Sequence, residues 1–413
     1  MAFGVYIHIP YCLQICPYCD FTKYEHGKIM PPSDYVKLLT EEIRSRAGDV
    51  PEREISTIYF GGGTPSLFEP RLILTVLEEL AKAGFRWSTA EDNDDGKRLE
   101  MTLEIDPATC DQARLEGYLA LGANRFSVGA QTFNERLLKV AGRKHSSHDT
   151  VELLQLLKRN KVNYSFDLLF GLPTQTLEEL RADVATALAF DPSHLSAYCL
   201  TVPEAHPMSK GRAPDEEQVE MFNVIESELA KAGVLRYEIS NFAKPGFESK
   251  HNLLYWTDQP YWGLGTSAHS YFPPRFSKSV DAVGDSGMRF WNAPALSAYE
   301  KEVRRSRSHE WSFVRDIPDA HREILERHQA LTDFCHTSLR LKRGLDENAL
   351  RLRFGNAAAS LVTSILGDLA KGTWIQPTAN GWAMTAEGRV MANAVFEKLT
   401  FLADDLKGLP GPN

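Results

Sequence analysis

Cys12, Cys16 and Cys19 are separated by three residues and then by two, in the run Tyr11-Cys12-Leu13-Gln14-Ile15-Cys16-Pro17-Tyr18-Cys19. Three thiolates so spaced can hold three corners of a four-iron cube. The fourth iron is then open to a small ligand and an electron. Iron–sulfur clusters usually take four cysteines, so a triplet without an obvious fourth partner points to chemistry more than electron storage. A zinc site and three unrelated core cysteines are the competing readings. Structural zinc sites use four ligands in paired knuckles, and Cys110, Cys199 and Cys335 lie too far apart in sequence to form a second pair. The cluster is the favoured reading.

Polar groups that could serve such a centre recur at regular intervals downstream. Gly61-Gly62-Gly63-Thr64-Pro65 would let a ligand approach the backbone closely. Glu104, Gln131 and Asp167 each end or follow a strand-like run, and Arg143 lies a short helix beyond Gln131. Any one of them could equally be a helix cap or a surface ion pair. Together they could form a ring suited to the amine, carboxylate and hydroxyl groups of a nucleoside–amino-acid ligand.

These residues need a scaffold that gathers strand ends. Strand patterns fall at 5–10, 55–60, 99–105, 125–128, 165–169 and 195–200. Helical patterns fall between and after them, at 35–46, 70–83, 112–121, 149–158, 177–189 and 216–232. Strands alternating with helices predict a parallel sheet covered by helices. The expected fold class is α/β: a partial six-unit (βα) barrel with functional groups at the C-terminal ends of its strands. The acidic run from Glu91 to Arg98 reads as a solvated loop. A barrel is expected over 1–285 and a second domain over 286–413. The latter has helices at 320–331, 347–354 and 357–369, an Asn380-Gly381 hairpin signal between strands at 373–376 and 382–385, and a last helix at 386–401. Helices followed by a hairpin resemble a winged helix.

Composition narrows the function classes. The chain has 413 residues, six cysteines and a net charge of −9. No apolar run approaches the roughly 20 residues of a membrane helix, and no leader or transit segment is evident. So few cysteines are no disulfide scaffold. A reduced, cytoplasmic setting is expected. The acidic balance argues against nucleic-acid binding, which relies on many basic side chains.

Cys12-x3-Cys16-x2-Cys19 with Tyr18 resembles the radical S-adenosylmethionine superfamily. Tyr6-Ile7-His8-Ile9-Pro10, the Gly-Gly-Gly-Thr-Pro run and Gly171-Leu172-Pro173 are similar to its branch of oxygen-independent coproporphyrinogen III oxidase-like proteins, across nearly the whole chain. The resemblance implies a [4Fe-4S] cluster on Cys12, Cys16 and Cys19, with S-adenosylmethionine on the open iron. It further implies contacts to that molecule from Tyr6, Tyr18, Gly62, Gly63, Thr64, Glu104, Gln131, Arg143 and Asp167.

Two activities occur in that branch: oxidative decarboxylation of coproporphyrinogen III in porphyrin biosynthesis, and heme carriage to apo-hemoproteins such as respiratory cytochromes. Three features favour the carrier. Only about four residues precede the first strand, Asp20-Phe21 follows Cys19 where the oxidases continue Cys-x-Cys, and His251-Asn252-Leu253-Leu254-Tyr255-Trp256 matches the carriers' His-Asn-x-x-Tyr-Trp motif. Neutral imidazole is a good axial ligand for heme iron, so His251 is the expected ligand, with Asn252, Tyr255 and Trp256 beside it. Tyr261, Trp262, Tyr271 and Phe272 add aromatic density, and His269 is a second candidate ligand. The resemblance leaves room for peripheral contact with a membrane. Oligomeric state and turnover of S-adenosylmethionine are not specified by the residues.

Overall fold

The computed structural model describes residues 2–88, 98–274, 276, 286–306, 311–313 and 316–411. All of the acidic run but Arg98 lies outside them. One sheet of twelve strands organises the molecule: β1 (Gly4–Ile9), β2 (Thr57–Gly62), β3 (Glu100–Ile105), β4 (Arg125–Gln131), β5 (Asn163–Phe170), β6 (His194–Cys199), β7 (Leu235–Arg236), β8 (Asn241–Ala243), β9 (Tyr261–Leu264), β10 (His269–Phe272), β11 (Met288–Trp291) and β12 (Arg322–Ile324). Their order is β12-β11-β10-β9-β1-β2-β3-β4-β5-β6-β8-β7. Strands β1 to β6 run parallel, as the alternation predicts, and β9 joins β1 in parallel. The remaining partners are antiparallel. The ends never meet, so the barrel is open.

Helices α1 (Pro32–Arg46), α2 (Pro70–Lys82), α3 (Gln112–Ala120), α4 (Glu135–Val140), α5 (Ser147–Arg159), α6 (Leu177–Ala189) and α7 (Asp215–Lys231) follow successive strands. The outward residues of those strands are apolar: Val5, Ile7, Ile58, Phe60, Leu103, Phe126, Val128, Phe166, Leu168 and Leu195 are buried in the main core. Inward positions differ in kind. Tyr6, His8, Thr57, Tyr59, Glu100, Thr102, Glu104, Arg125, Ser127, Ser165, Asp167, His194, Ser196 and Tyr198 occupy alternate sites on the six strands. Parallel strands covered on both faces normally read as continuous apolar runs. Alternation within a parallel sheet means that its inner face meets polar space.

Three further helices, α8 (Lys250–Trp256), α9 (Leu296–Arg305) and α10 (Arg327–Arg340), precede α11 (Glu347–Lys371), α12 (Ala386–Val390) and α13 (Ala392–Lys398). A small sheet of β13 (Leu345–Asp346), β14 (Ile375–Pro377) and β15 (Gly381–Met384) pairs in the order β13-β15-β14. With α10, α11 and α13 it encloses a second core running from Leu325 to Leu406.

Several expected boundaries shift. The helix expected at 320–331 is instead a short turn, strand β12 and the start of α10. A capping box between Glu326 and Gln329 fixes that start. Strands β11 and β12 hydrogen-bond within the main sheet, so the sheet continues past residue 285 and the second core begins near 325. The helices expected at 347–354 and 357–369 are one element kinked at Gly355, whose φ is +84°. The last helix breaks at Met391.

Candidate functional site

The three cysteines lie in the loop after β1, and the structure pins that loop at many points. His8 Nε2 lies 2.7 Å from the Thr22 carbonyl, and the His26 amide donates to the Cys12 carbonyl at 2.8 Å. Gln14 Nε2 donates to Gly142 O at 2.8 Å and Lys144 Nζ to Leu13 O at 3.0 Å, docking the loop on the segment after α4. Lys23 Nζ donates to the Cys19 carbonyl. All three cysteines are free, partly exposed thiols on one cavity of about 700 Å³. Burial pushes the Cys12 thiol up to about 11. A ligating thiol must lose its proton, so occupancy of the loop is coupled to proton release.

The glycine run meets the loop from β2. Gly62 has φ +110°, and a Cβ there would lie 2.3 Å from the His8 ring. A Cβ on Gly63 would lie 2.6 Å from the Tyr11 carbonyl oxygen. Glycine is therefore required sterically at both positions. The Gly62 amide donates to Glu104 Oε2 at 3.1 Å and the Tyr59 hydroxyl to Oε1 at 2.8 Å. Glu104 is thus held across the cavity wall.

Strand β4 ends in a register shift between Val128 and Gln131, and Gln131 adopts φ +66°. Positive φ in a non-glycine residue is costly and persists only where its surroundings enforce it. Here Asp183 enforces it, accepting from Thr132 Oγ1 at 2.6 Å and from the Phe133 amide at 2.8 Å. A bulge of this kind re-aims a side chain, and Gln131 lines the cavity. Arg143 Nη2 donates to Asp106 Oδ2 at 2.6 Å and to Gly129 O at 3.1 Å, while its Nη1 lies 3.7 Å from Cys16 Sγ.

Deeper in the barrel sit two carboxyl groups whose affinity for protons is raised. Burial, reinforced by the Asp167 charge, pushes Glu104 up to about 7, and burial pushes Asp167 up to about 6. Such shifts concentrate at functional sites. Arg125, on the barrel floor, is 3% exposed, and its Nε and Nη1 have no hydrogen-bond partner among the described residues. Tyr59, Arg125, Ser127, Ser196 and Tyr198 also line the cavity. The sequence reading passed over these five, although their alternation along the strands marks them.

A second cavity of about 700 Å³ shares Asp20, Phe21, Tyr59, Gly62, Glu104, Tyr198 and Asn252 with the first. Its other walls combine the aromatic rings of Tyr6, Tyr255, Trp256, Tyr261, Tyr271 and Phe334 with three histidines and the charged side chains of Asp258, Arg289 and Asp333. Tyr6 faces this space and is absent from the first lining; Tyr18, Gly63, Thr64, Gln131, Arg143 and Asp167 line only the first. Trp262 and Phe272 are buried in the main core.

A family model described as the Radical SAM superfamily matches residues 6–187. The heme chaperone HemW of Bacillus subtilis (strain 168) is 32% identical over 404 residues, 95% of this chain and 98% of its own. The chain belongs to the HemW family of radical SAM proteins. HemW of Lactococcus lactis (strain IL1403) is 30% identical, with 98% of each chain covered. The solved coproporphyrinogen III oxidase (HemN) of Escherichia coli, a radical SAM enzyme, has the same fold, with a TM-score of 0.76 and 21% identity over 97% of this chain and 90% of its own.

Radical SAM membership implies binding of a [4Fe-4S] cluster and S-adenosylmethionine, and the donor set fits both. Three free cysteines face one cavity, a cation stands beside Cys16, and a glycine cradle and a buried carboxylate pair lie below them. The His-Asn-x-x-Tyr-Trp stretch takes a different form from an open ligand. It forms α8, packed inside the sheet over the first residues of β1, β2 and β3. His251 is 1% exposed, with Nδ1 2.7 Å from Thr57 Oγ1 and Nε2 2.9 Å from the Tyr255 hydroxyl. Its ring lies 5.1 Å from that of Tyr59, and burial lowers its pKa to about 3. Glu100 accepts the Lys250 and His251 amides at 3.1 and 3.0 Å. Helix α8 closes the barrel floor, and Asn252 stands between the two cavities.

Proposed function

We propose that this protein binds heme in the aromatic cavity and passes it to an apo-hemoprotein, with a [4Fe-4S] cluster and S-adenosylmethionine held in the adjoining cavity. The observation that carries the reading is the shared wall between a cysteine-rimmed polar cavity and an aromatic one built partly by the His-Asn-x-x-Tyr-Trp helix. Relatedness to the HemW proteins along essentially the whole chain supports it. Flat apolar tetrapyrroles suit aromatic walls.

In the first cavity, Cys12, Cys16 and Cys19 would hold the cluster. When bound, the cluster supplies a redox-active iron with an open coordination position. The protein's own residues do the rest. Gly62 and Gly63 admit a ligand to the backbone, Gln131 at the end of β4 and Arg143 in the segment after α4 face the loop, and Glu104 and Asp167 offer carboxylates to a cationic ligand. Tyr18 and Thr64 complete the proposed lining, and Tyr6, the remaining proposed contact, faces the adjoining aromatic cavity. Asp20 and Phe21, the latter 66% exposed, stand on the rim common to both cavities. Asn252, Tyr255 and Trp256 are the proposed heme-facing residues of α8.

A cytoplasmic setting fits a chain of six free cysteines. Among the described residues no helix is long and apolar enough to cross a membrane. Respiratory cytochromes are the proposed recipients, reached in part by peripheral membrane contact; no nucleic acid is involved.

The test is an anaerobic preparation with reconstituted cluster, assayed in parallel for hemin binding and for turnover of coproporphyrinogen III with S-adenosylmethionine and a reductant. Hemin binding and transfer to an apo-cytochrome without turnover is the expected result. Protoporphyrinogen formation would assign the oxidase reaction instead. Replacing Cys16 by Ala removes the iron–sulfur absorbance, since thiolates hold such clusters; full cluster content in that variant would remove Cys16 from the ligand set.

A further inference from the structure

Three histidines border the aromatic cavity, and the geometry distinguishes sharply among them. His8 is 3% exposed, with Nδ1 3.1 Å from the Tyr6 hydroxyl and Nε2 2.7 Å from the Thr22 carbonyl. His251 is sealed beneath Tyr59, with both ring nitrogens hydrogen-bonded. Neither can offer a lone pair to a metal without breaking an anchor of the cysteine loop or of α8.

His269 is built differently. It is the first residue of β10, and its side chain is exposed on the cavity. Its Nδ1 lies 3.0 Å from the Ser267 carbonyl oxygen. A carbonyl can only accept, so Nδ1 carries the proton and Nε2 carries the lone pair. No described residue hydrogen-bonds Nε2. A backbone carbonyl on the far nitrogen is the usual second partner of a metal-bound imidazole, fixing its tautomer and raising its basicity. The ring is also held flat against Trp291, its register partner on β11, at 5.5 Å and 23° between planes.

The loop presenting His269 is rigid for reasons that reach deep into the core. Gly265 has φ +94°, and a Cβ there would lie 2.5 Å from the Tyr35 hydroxyl. The Gly265 amide donates to Glu42 Oε2 at 2.9 Å, and Asn292 Nδ2 donates to Gly265 O at 2.7 Å. Ser270 Oγ accepts from the Gly263 amide at 2.9 Å. Glu42 is itself fully buried and paired with Arg46 at 2.6 Å. An open imidazole on so constrained a loop is organised in advance for a ligand.

We infer that His269, through Nε2, is the axial ligand to tetrapyrrole iron in the aromatic cavity, and that His251 is a structural plug rather than a ligand. This rests on the heme-carrier reading above. The test uses the full chain with its cluster reconstituted, titrated anaerobically with hemin and followed by absorption, resonance Raman and EPR spectroscopy. The wild type shows a histidine-ligated spectrum. His269→Ala weakens hemin affinity about tenfold or more and loses that signature, and added imidazole restores it. His251→Gln, in preparations retaining cluster absorbance and a cooperative melt, keeps the signature.

An unaltered spectrum and affinity in His269→Ala overturns the assignment, as does loss of the signature in folded His251→Gln. A wild type that binds no hemin overturns the carrier reading along with it. A wild type that binds hemin while His269→Ala is indistinguishable from it overturns the ligand assignment alone.

Discussion

Glu104 and Asp167 are carboxyl groups deep in a barrel, and no described residue forms a salt bridge with Glu104. Because burial raises the Glu104 pKa from 4.5 to about 7, the folded state binds its proton more tightly than the unfolded chain does. Stability of the ligand-free protein therefore falls as pH rises from about 4.5 through about 7, and levels off above that. Glu104→Gln removes the Glu104 share of this slope and leaves that of Asp167, whose pKa burial raises to about 6: we expect the variant to be more stable than the ligand-free wild type at pH 8 by on the order of 3 kcal/mol and equal to it below pH 4.5. Urea titrations across that range give the answer; an equal slope in the variant would show that another group is responsible. The same variant should bind S-adenosylmethionine more weakly, a trade between stability and function. Gly62 gives a second residue-scale prediction. Its φ of +110° and the 2.3 Å approach of a Cβ to the His8 ring make Gly62→Ala costly by roughly 2–4 kcal/mol. Chemical denaturation would register the loss, and cluster content should fall with it, because His8 anchors the cysteine loop.

Helix α8 is the element on which both cavities depend. The Ser249 hydroxyl accepts the Asn252 amide at 3.3 Å to cap it, and Glu100 balances its first amides. Ser249→Ala should cost about 1 kcal/mol. Glu100→Ala should do more, freeing the helix from β3 and speeding amide exchange across 250–256 while the distant α11 stays protected. Equal protection in wild type and variant would mean that Leu254 and His251 hold the helix alone. This helix was not legible in the sequence. It has only seven residues, fewer than a hydrophobic period needs to show itself, and its pattern reads as readily as a ligand motif. The six barrel strands and their helices were legible because each carries an apolar outer face. Strands β9 to β11 were not, since each has only four residues, too few to show an alternation, and their pairing is set by tertiary context. The cysteine triplet and the residues after each strand could be named as candidates from spacing, and they line one cavity; Arg125, Ser196 and Tyr198, which line it too, could not, because their convergence appears only when alternating positions on separate strands are superposed.

Charged contacts join the second core to the barrel, beside the packing of Ile239 and Tyr271 against it and a backbone bridge between Glu238 and Leu341. Arg353 Nε donates to Asp258 Oδ2 at 3.0 Å, Arg340 Nη2 to Glu238 Oε2 at 3.2 Å, and Arg389 Nη2 to Glu226 Oε2 at 3.2 Å. The Arg340 guanidinium also lies 4.3 Å from the Trp256 ring centroid. Glu238 is fully buried, and breaking a pair on the buried side leaves an uncompensated charge, typically 3–5 kcal/mol. Arg340→Ala should therefore lower the thermal midpoint more than Arg389→Ala, and it should increase exchange in α8 as well as α10. A larger effect from Arg389 would place the main joint at α7 instead. Because Asp333, Phe334 and Thr337 of α10 form one wall of the aromatic cavity, any loosening of this joint enlarges that cavity directly. The common wall has a consequence for occupancy. Tyr59, Gly62, Glu104, Tyr198 and Asn252 bound both cavities. A side chain that moves to admit a guest on one side therefore reshapes the space on the other, so the two guests are neighbours that share their packing.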